Sequence, residues 1–148
     1  MTPLETKVRK LFDAYGKRAD EALRDPPVED VGGLVACFAP YFVESSPKGV
    51  MGGANDNAFR ATVPKGYAHY RAVGGRHMTI KGLKVTELDP LHAVADIDWD
   101  FAYTNKDGQS GHVTFTNFYF VTIADGAAKI FAYVTPDEEQ AMTEHGLV

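Results

Sequence analysis

Asp96, Asp98 and Asp100 alternate along one phase of an extended run, with His92 on the same side. Carboxylates at that spacing beside an imidazole have the chemistry to hold a divalent cation or to move protons. The same arrangement is also what a solvated strand face with cross-strand partners carries, and that is the stronger reading. Inside a dry pocket Asp98 would have its pKa raised and become the leading base; Glu44 is the other residue placed for that role. In the next run, Asn117 stands among apolar residues. A primary amide there needs hydrogen-bond partners, which a ligand, the protein or water supplies. Tyr15, Tyr41, Tyr67, Tyr70 and Tyr133 carry hydroxyls able to aim into the same cavity, and Trp99 fits a cavity wall. The expected site is thus Tyr15, Asn117 and Asp98 as catalytic residues, with Tyr41, Met51, Phe59, Tyr70, Trp99, Tyr119 and Tyr133 binding ligand.

Other chemistries find no footing. His69, His77, His112 and His145 show no metal-ligand spacing, so no metal is expected. Gly49, Gly52 and Gly53 do not link a strand to a helix as a phosphate loop requires, and no cofactor is expected. Cys37, the single cysteine, lies beside Phe38 and reads as a buried structural thiol. The formal net charge is −5 with basic residues scattered, which argues against nucleic acid as a partner. Met1 to Arg9 is polar, and no run approaches the length of a membrane span, so a cytoplasmic protein without membrane contact is expected.

The elements that must position these residues follow from periodicity. His92 to Thr104, Gly111 to Ile123 and Lys129 to Val134 alternate apolar and polar residues and are joined by turns carrying Asp107-Gly108 and Asp125-Gly126, the signature of an antiparallel meander. Leu4, Val8, Leu11, Phe12, Tyr15, Ala19, Ala22 and Leu23 fall on one helical face, which Asp25-Pro26-Pro27 ends. Asp30 caps a short second helix that includes Phe38 and stops at Pro40. Tyr41 to Glu44 is a brief strand, and Ser45 to Asp56 a glycine-rich loop bordering the pocket. A third helix runs to Val73, starting either before Pro64 or at it. In Arg76 to Leu88 the apolar phase slips at Lys81-Gly82, which predicts a bulge. Thr135-Pro136-Asp137-Glu138 has the form of a capping box that opens a closing helix. With 148 residues, 45% hydrophobic and 24% charged, the chain reads as one domain over residues 1–148. Phe118 and Phe120 occupy the outer phase of their strand; an aromatic patch there predicts a homodimer packed through that face.

This order, the glycine-kinked long strand and the runs "EDVGGLVACFAPYFVESSP" and "FTNFYFVTIADGAAKIFAYV" resemble the nuclear transport factor 2-like superfamily, which includes ketosteroid isomerases, scytalone dehydratase and SnoaL-like polyketide cyclases. The resemblance covers nearly the whole chain. It implies an α+β cone: a strongly curved, mostly antiparallel sheet with three N-terminal helices on its concave face and a short C-terminal helix. It further implies a hydrophobic small molecule in the cone, with isomerisation, dehydration or cyclisation of a carbonyl compound as the class of chemistry, or else a non-catalytic interaction module. Tyr15 matches the position of the isomerases' oxyanion donor. Ser45 and Ser46 stand where their aspartate base would be, one step after Glu44, and Ala132, Tyr133 and Thr135 stand where the cyclases carry His and Asp.

Overall fold

The computed structural model describes residues 1–148. Helices α1 (Pro3–Glu21) and α2 (Val31–Val35) lead into strands β1 (Phe38–Ser46) and β2 (Gly49–Ala54). Helix α3 (Asn57–Ala72) follows, then β3 (Gly75–Asp89), β4 (His92–Thr104), β5 (Ser110–Thr122), β6 (Lys129–Val134) and helix α4 (Glu138–Glu144). The strands form one curved sheet in the order β2-β1-β6-β5-β4-β3, antiparallel throughout except where β1 runs parallel to β6. No helix is long and apolar enough to cross a membrane.

Helix α1 begins where Thr2 accepts a hydrogen bond from the Glu5 amide at 3.1 Å. It lies against β3 and β4, burying Leu4, Val8 and Phe12 with Ala93, Ala95, Ile97 and Phe101 of β4. Burial of each large apolar side chain of this kind contributes about 1.5–3 kcal/mol, so the helix is held by its face rather than by its propensity. The expected bulge in β3 falls between Ile80 and Gly82, and there a Cβ on residue 82 would meet the Asp98 carboxylate at 2.6 Å. The extra residue bends β3 around α1.

Two expectations change, and one left open is decided. Phe38 opens β1 rather than closing α2, because Cys37 and Phe38 continue into strand and the amide of Ile130 on β6 bonds the Cys37 carbonyl at 2.8 Å. The loop after Glu44 is instead the second half of a hairpin, with Tyr41 opposite Ala54 and Ser46 opposite Gly49. Gly49, at φ 114°, makes the turn, and the glycines of β2 mask a strand whose pairing is made by its backbone alone. Helix α3 takes the earlier of its two starts: Asp56 caps the Phe59 amide at 3.0 Å, and the helix continues through Pro64.

Candidate functional site

Four elements and the sheet's concave face converge on a chamber of about 230 Å³. From α1 come Tyr15 and Ala19; from α3, Tyr67 and Tyr70, one turn apart and so on one face. Trp99 of β4 stands opposite Phe115 of β5 in the ladder. Phe115, Asn117 and Tyr119 share one phase of β5, and Tyr133 of β6 stacks beside Tyr119 with ring centroids 5.8 Å apart. Tyr15 packs edge-on to Phe38 and Tyr119 and tilted against Trp99, with centroids 5.8–6.2 Å apart.

The polar atoms of this wall gather at one hydroxyl. Trp99 Nε1 and Asn117 Nδ2 each donate to the Tyr119 hydroxyl at 3.1 Å. The other amide atom of Asn117, Oδ1, is buried without a partner, and so is the Tyr67 hydroxyl. Leaving such a group unpaired costs about 1–3 kcal/mol, and both belong to residues that line the chamber. Burial pushes the pKa of Tyr15 well up, with Tyr119 and Tyr133 adding to it, and burial pushes Tyr67 up to about 12. These hydroxyls therefore stay protonated and act as neutral hydrogen-bonding groups.

At the mouth stands a collar of Glu44, Tyr70, Thr135 and Glu138, shared with an outer cavity of about 500 Å³. The collar exists because of how α4 is capped. Asp137 is the N-cap, accepting from the Gln140 amide at 2.9 Å. Glu138 is thereby the first residue of the helix, and its side chain accepts from the Tyr70 hydroxyl at 2.8 Å. Burial raises the Glu138 pKa, and the Glu44 carboxylate raises it further, against the Tyr70 hydrogen bond and His69, which lower it. Burial and Glu138 raise Tyr70 well above its ordinary value, and burial followed by Glu44 raises Tyr133. A carboxyl held above its usual range in a dry, aromatic surround is equipped to give or take a proton nearer neutral pH.

Solved structures share this architecture. A nuclear transport factor 2-like protein with a cystatin-like fold from Novosphingobium aromaticivorans is 13% identical, with a TM-score of 0.69 over 98% of this chain and 88% of that one. A nuclear transport factor 2-like protein of unknown function from Shewanella oneidensis is 12% identical, with a TM-score of 0.66 over 90% of this chain and 98% of its own. The chain has the nuclear transport factor 2-like fold. A ketosteroid isomerase-like protein from Erwinia carotovora atroseptica is similar at 15% identity, with a TM-score of 0.58 over 90% of this chain and 92% of that one. No protein-family model matches the sequence, and no curated protein does. Likeness at these identities speaks to backbone shape, and the activity has to be argued from the site.

Within this cone, Tyr15, Tyr70, Trp99, Asn117, Tyr119 and Tyr133 line the chamber together, with Glu44 at its mouth. Asp98 does not. Trp99 takes the inward phase of β4, so Asp98 is exposed on the outer face and accepts from Thr116 Oγ1 at 2.7 Å. Asp100 likewise meets His112 at 2.7 Å, and His92 turns to Asp89 at 2.9 Å. Tyr41 and Met51 are 62% and 58% exposed on the β1–β2 hairpin and line neither cavity, although Glu44 of the same hairpin stands at the collar. Phe59 packs on Phe38 and Phe42, at centroid distances of 5.4 and 4.7 Å, instead of lining the chamber. Cys37 is buried, and burial raises its pKa.

Glu138 is the chamber-lining residue that sequence reasoning missed. Read as the reciprocal partner of a Thr135 cap, it was assigned to the backbone. The sequence holds a second box starting at Asp137 instead of Thr135, Asp137-Glu138-Glu139-Gln140, and aspartate is a better cap than threonine. Taking that register leaves Glu138 free to face the cone.

Proposed function

We propose that this protein binds a small, largely apolar molecule in the cone and that Glu138, with Tyr70, moves a proton on it, in the manner of an isomerisation, dehydration or cyclisation. The observation that carries this reading is a protonatable, half-buried carboxyl at the mouth of an aromatic chamber whose wall holds unpartnered polar atoms at Tyr67 and Asn117. A chamber of about 230 Å³ is below the ~300 Å³ at which drug-sized sites begin. The part of the ligand inside is therefore of single-ring size, with any larger portion in the outer cavity. Asn117 and Tyr67 orient it, Tyr15 and Trp99 wall it in, and Glu138 exchanges the proton. Asn117 is less suited to stabilise an oxyanion alone, because its amide donates to Tyr119.

The outer sheet face supports the homodimer as a further part of the proposal. Phe118 and Val134, paired across β5 and β6, are 40% and 42% exposed, and Phe120 packs beside Phe131 at 6.1 Å. The rival reading, a plugged cone whose outer face recruits a different protein, is separated from it by one experiment. Native mass spectrometry of the purified protein, set beside an organic extract of the denatured sample, is expected to give a dimer with a co-purified small molecule. A cone that stays empty against a panel of ring-sized carbonyl compounds would overturn the pocket reading.

A further inference from the structure

The lining of the chamber carries an asymmetry of charge. Tyr15, Tyr67, Tyr70, Trp99, Tyr119 and Tyr133 surround it with aromatic rings, Glu44 and Glu138 stand at its mouth, and neither lysine, arginine nor histidine lines it. The tyrosines stay neutral, so every formal charge there is a carboxylate. The approach continues the pattern: the outer cavity adds Asp137 and Glu139, and of its basic residues Lys48 is paired with Glu139 at 3.2 Å while His69 lies beside Tyr70. Such a funnel concentrates cations and repels anions. The faces of aromatic rings attract a positively charged nitrogen further. With a neutral ligand, His69 is the one basic group acting on Glu138, and an anionic ligand meets both carboxyl groups of the collar.

We infer that the ligand of this chamber is an organic cation, a substituted ammonium of single-ring size whose nitrogen sits at the collar between Glu44 and Glu138 and whose apolar part lies among the rings. The buried Tyr67 hydroxyl and Asn117 amide oxygen, each without a partner and each less than a tenth exposed, would meet a polar group on its inner end. The inference rests on the pocket reading and deepens it. A cation at the collar favours the ionised form of Glu138, so ligand entry would itself turn that residue from acid to base. The groups that face Glu138 and set this balance are Tyr70 and His69 on α3, Glu44 on β1, Tyr119 on β5 and Tyr133 on β6.

The test is calorimetric titration of the full chain with benzylammonium, benzyl alcohol and benzoate, which share a ring and differ in charge. Benzylammonium is expected to bind at least tenfold more tightly than the alcohol, with benzoate weakest. Its binding is expected to release protons to the buffer below neutral pH. In Glu138→Gln and Glu44→Gln, each a neutral isostere, the preference for the cation should shrink several-fold, and proton release should vanish only in Glu138→Gln. Equal binding of the alcohol, or tighter binding of benzoate, overturns the cation assignment and leaves the pocket standing. Binding of none of the three at millimolar concentration overturns both.

Discussion

Glu138 faces a conflict between folding and function that a titration makes visible. Its pKa is raised in the folded chain above the ordinary value of 4.5, so between those two values the folded protein holds a proton that the unfolded chain has given up. Stability linked to this group is therefore present below about 4.5 and is lost as pH rises through the folded pKa. Glu138→Gln removes the dependence. Thermal unfolding of the variant should match the native protein at pH 4 and exceed it at pH 8; a gap that does not widen with pH would show that Glu138 is not held as an acid. Asn117 predicts a second divergence between stability and binding. Its Oδ1 is already unpaired, so Asn117→Leu should leave the melting temperature unchanged or higher, while a ligand hydrogen bond lost there weakens binding roughly 3–10-fold. A variant that melts well below the native chain with binding intact would make Asn117 a structural amide. Asn117 was legible in the sequence because a polar residue broke an apolar phase. Tyr41 and Met51 escape the sequence because a residue's type says neither that Phe42 and Glu44 take the inward phase of β1 nor that Met51 lies on the edge strand β2.

Among the elements, α4 places Glu138 at the collar while contributing little to the core. It is seven residues long and buries Met142 alone, and helices this short are marginal without packing or caps. Asp137→Ala should cost about 1 kcal/mol and speed amide exchange across Glu138–Glu144 while leaving β4 and β5 protected. Equal loss of protection in the sheet would mean that α4 and the core unfold as one unit. The same length explains what could be read beforehand. The meander and α1 announce themselves through long alternation and a continuous apolar face, and the bulge at Gly82 through a phase slip. Helix α2, at five residues, shows its Asp30 cap in the sequence but not its end, and β2, with glycine at three of its positions, carries too little pattern to reveal itself. The bounds of β2 are set by its pairing with β1, and α2 stops where β1 begins its pairing with β6.

For the molecule as a whole, the sheet has two faces with different tasks. The concave face encloses the chamber, and the convex face carries Phe118 and Val134 beside the aspartates of β4. If the convex face is the dimer interface, Phe118→Asp should shift the protein from dimer to monomer in light scattering after size-exclusion chromatography, with the fold retained by circular dichroism. A dimer that survives the substitution would place the interface elsewhere. The aromatic chamber has one more consequence. Trp99 is the single tryptophan in the chain and stands in the chamber wall, hydrogen-bonded to Tyr119. Tryptophan fluorescence of the unmodified protein is therefore emission from the pocket and from nowhere else. A spectral shift on adding a ligand reports entry into the cone, and access of a soluble quencher reports how open the collar stands.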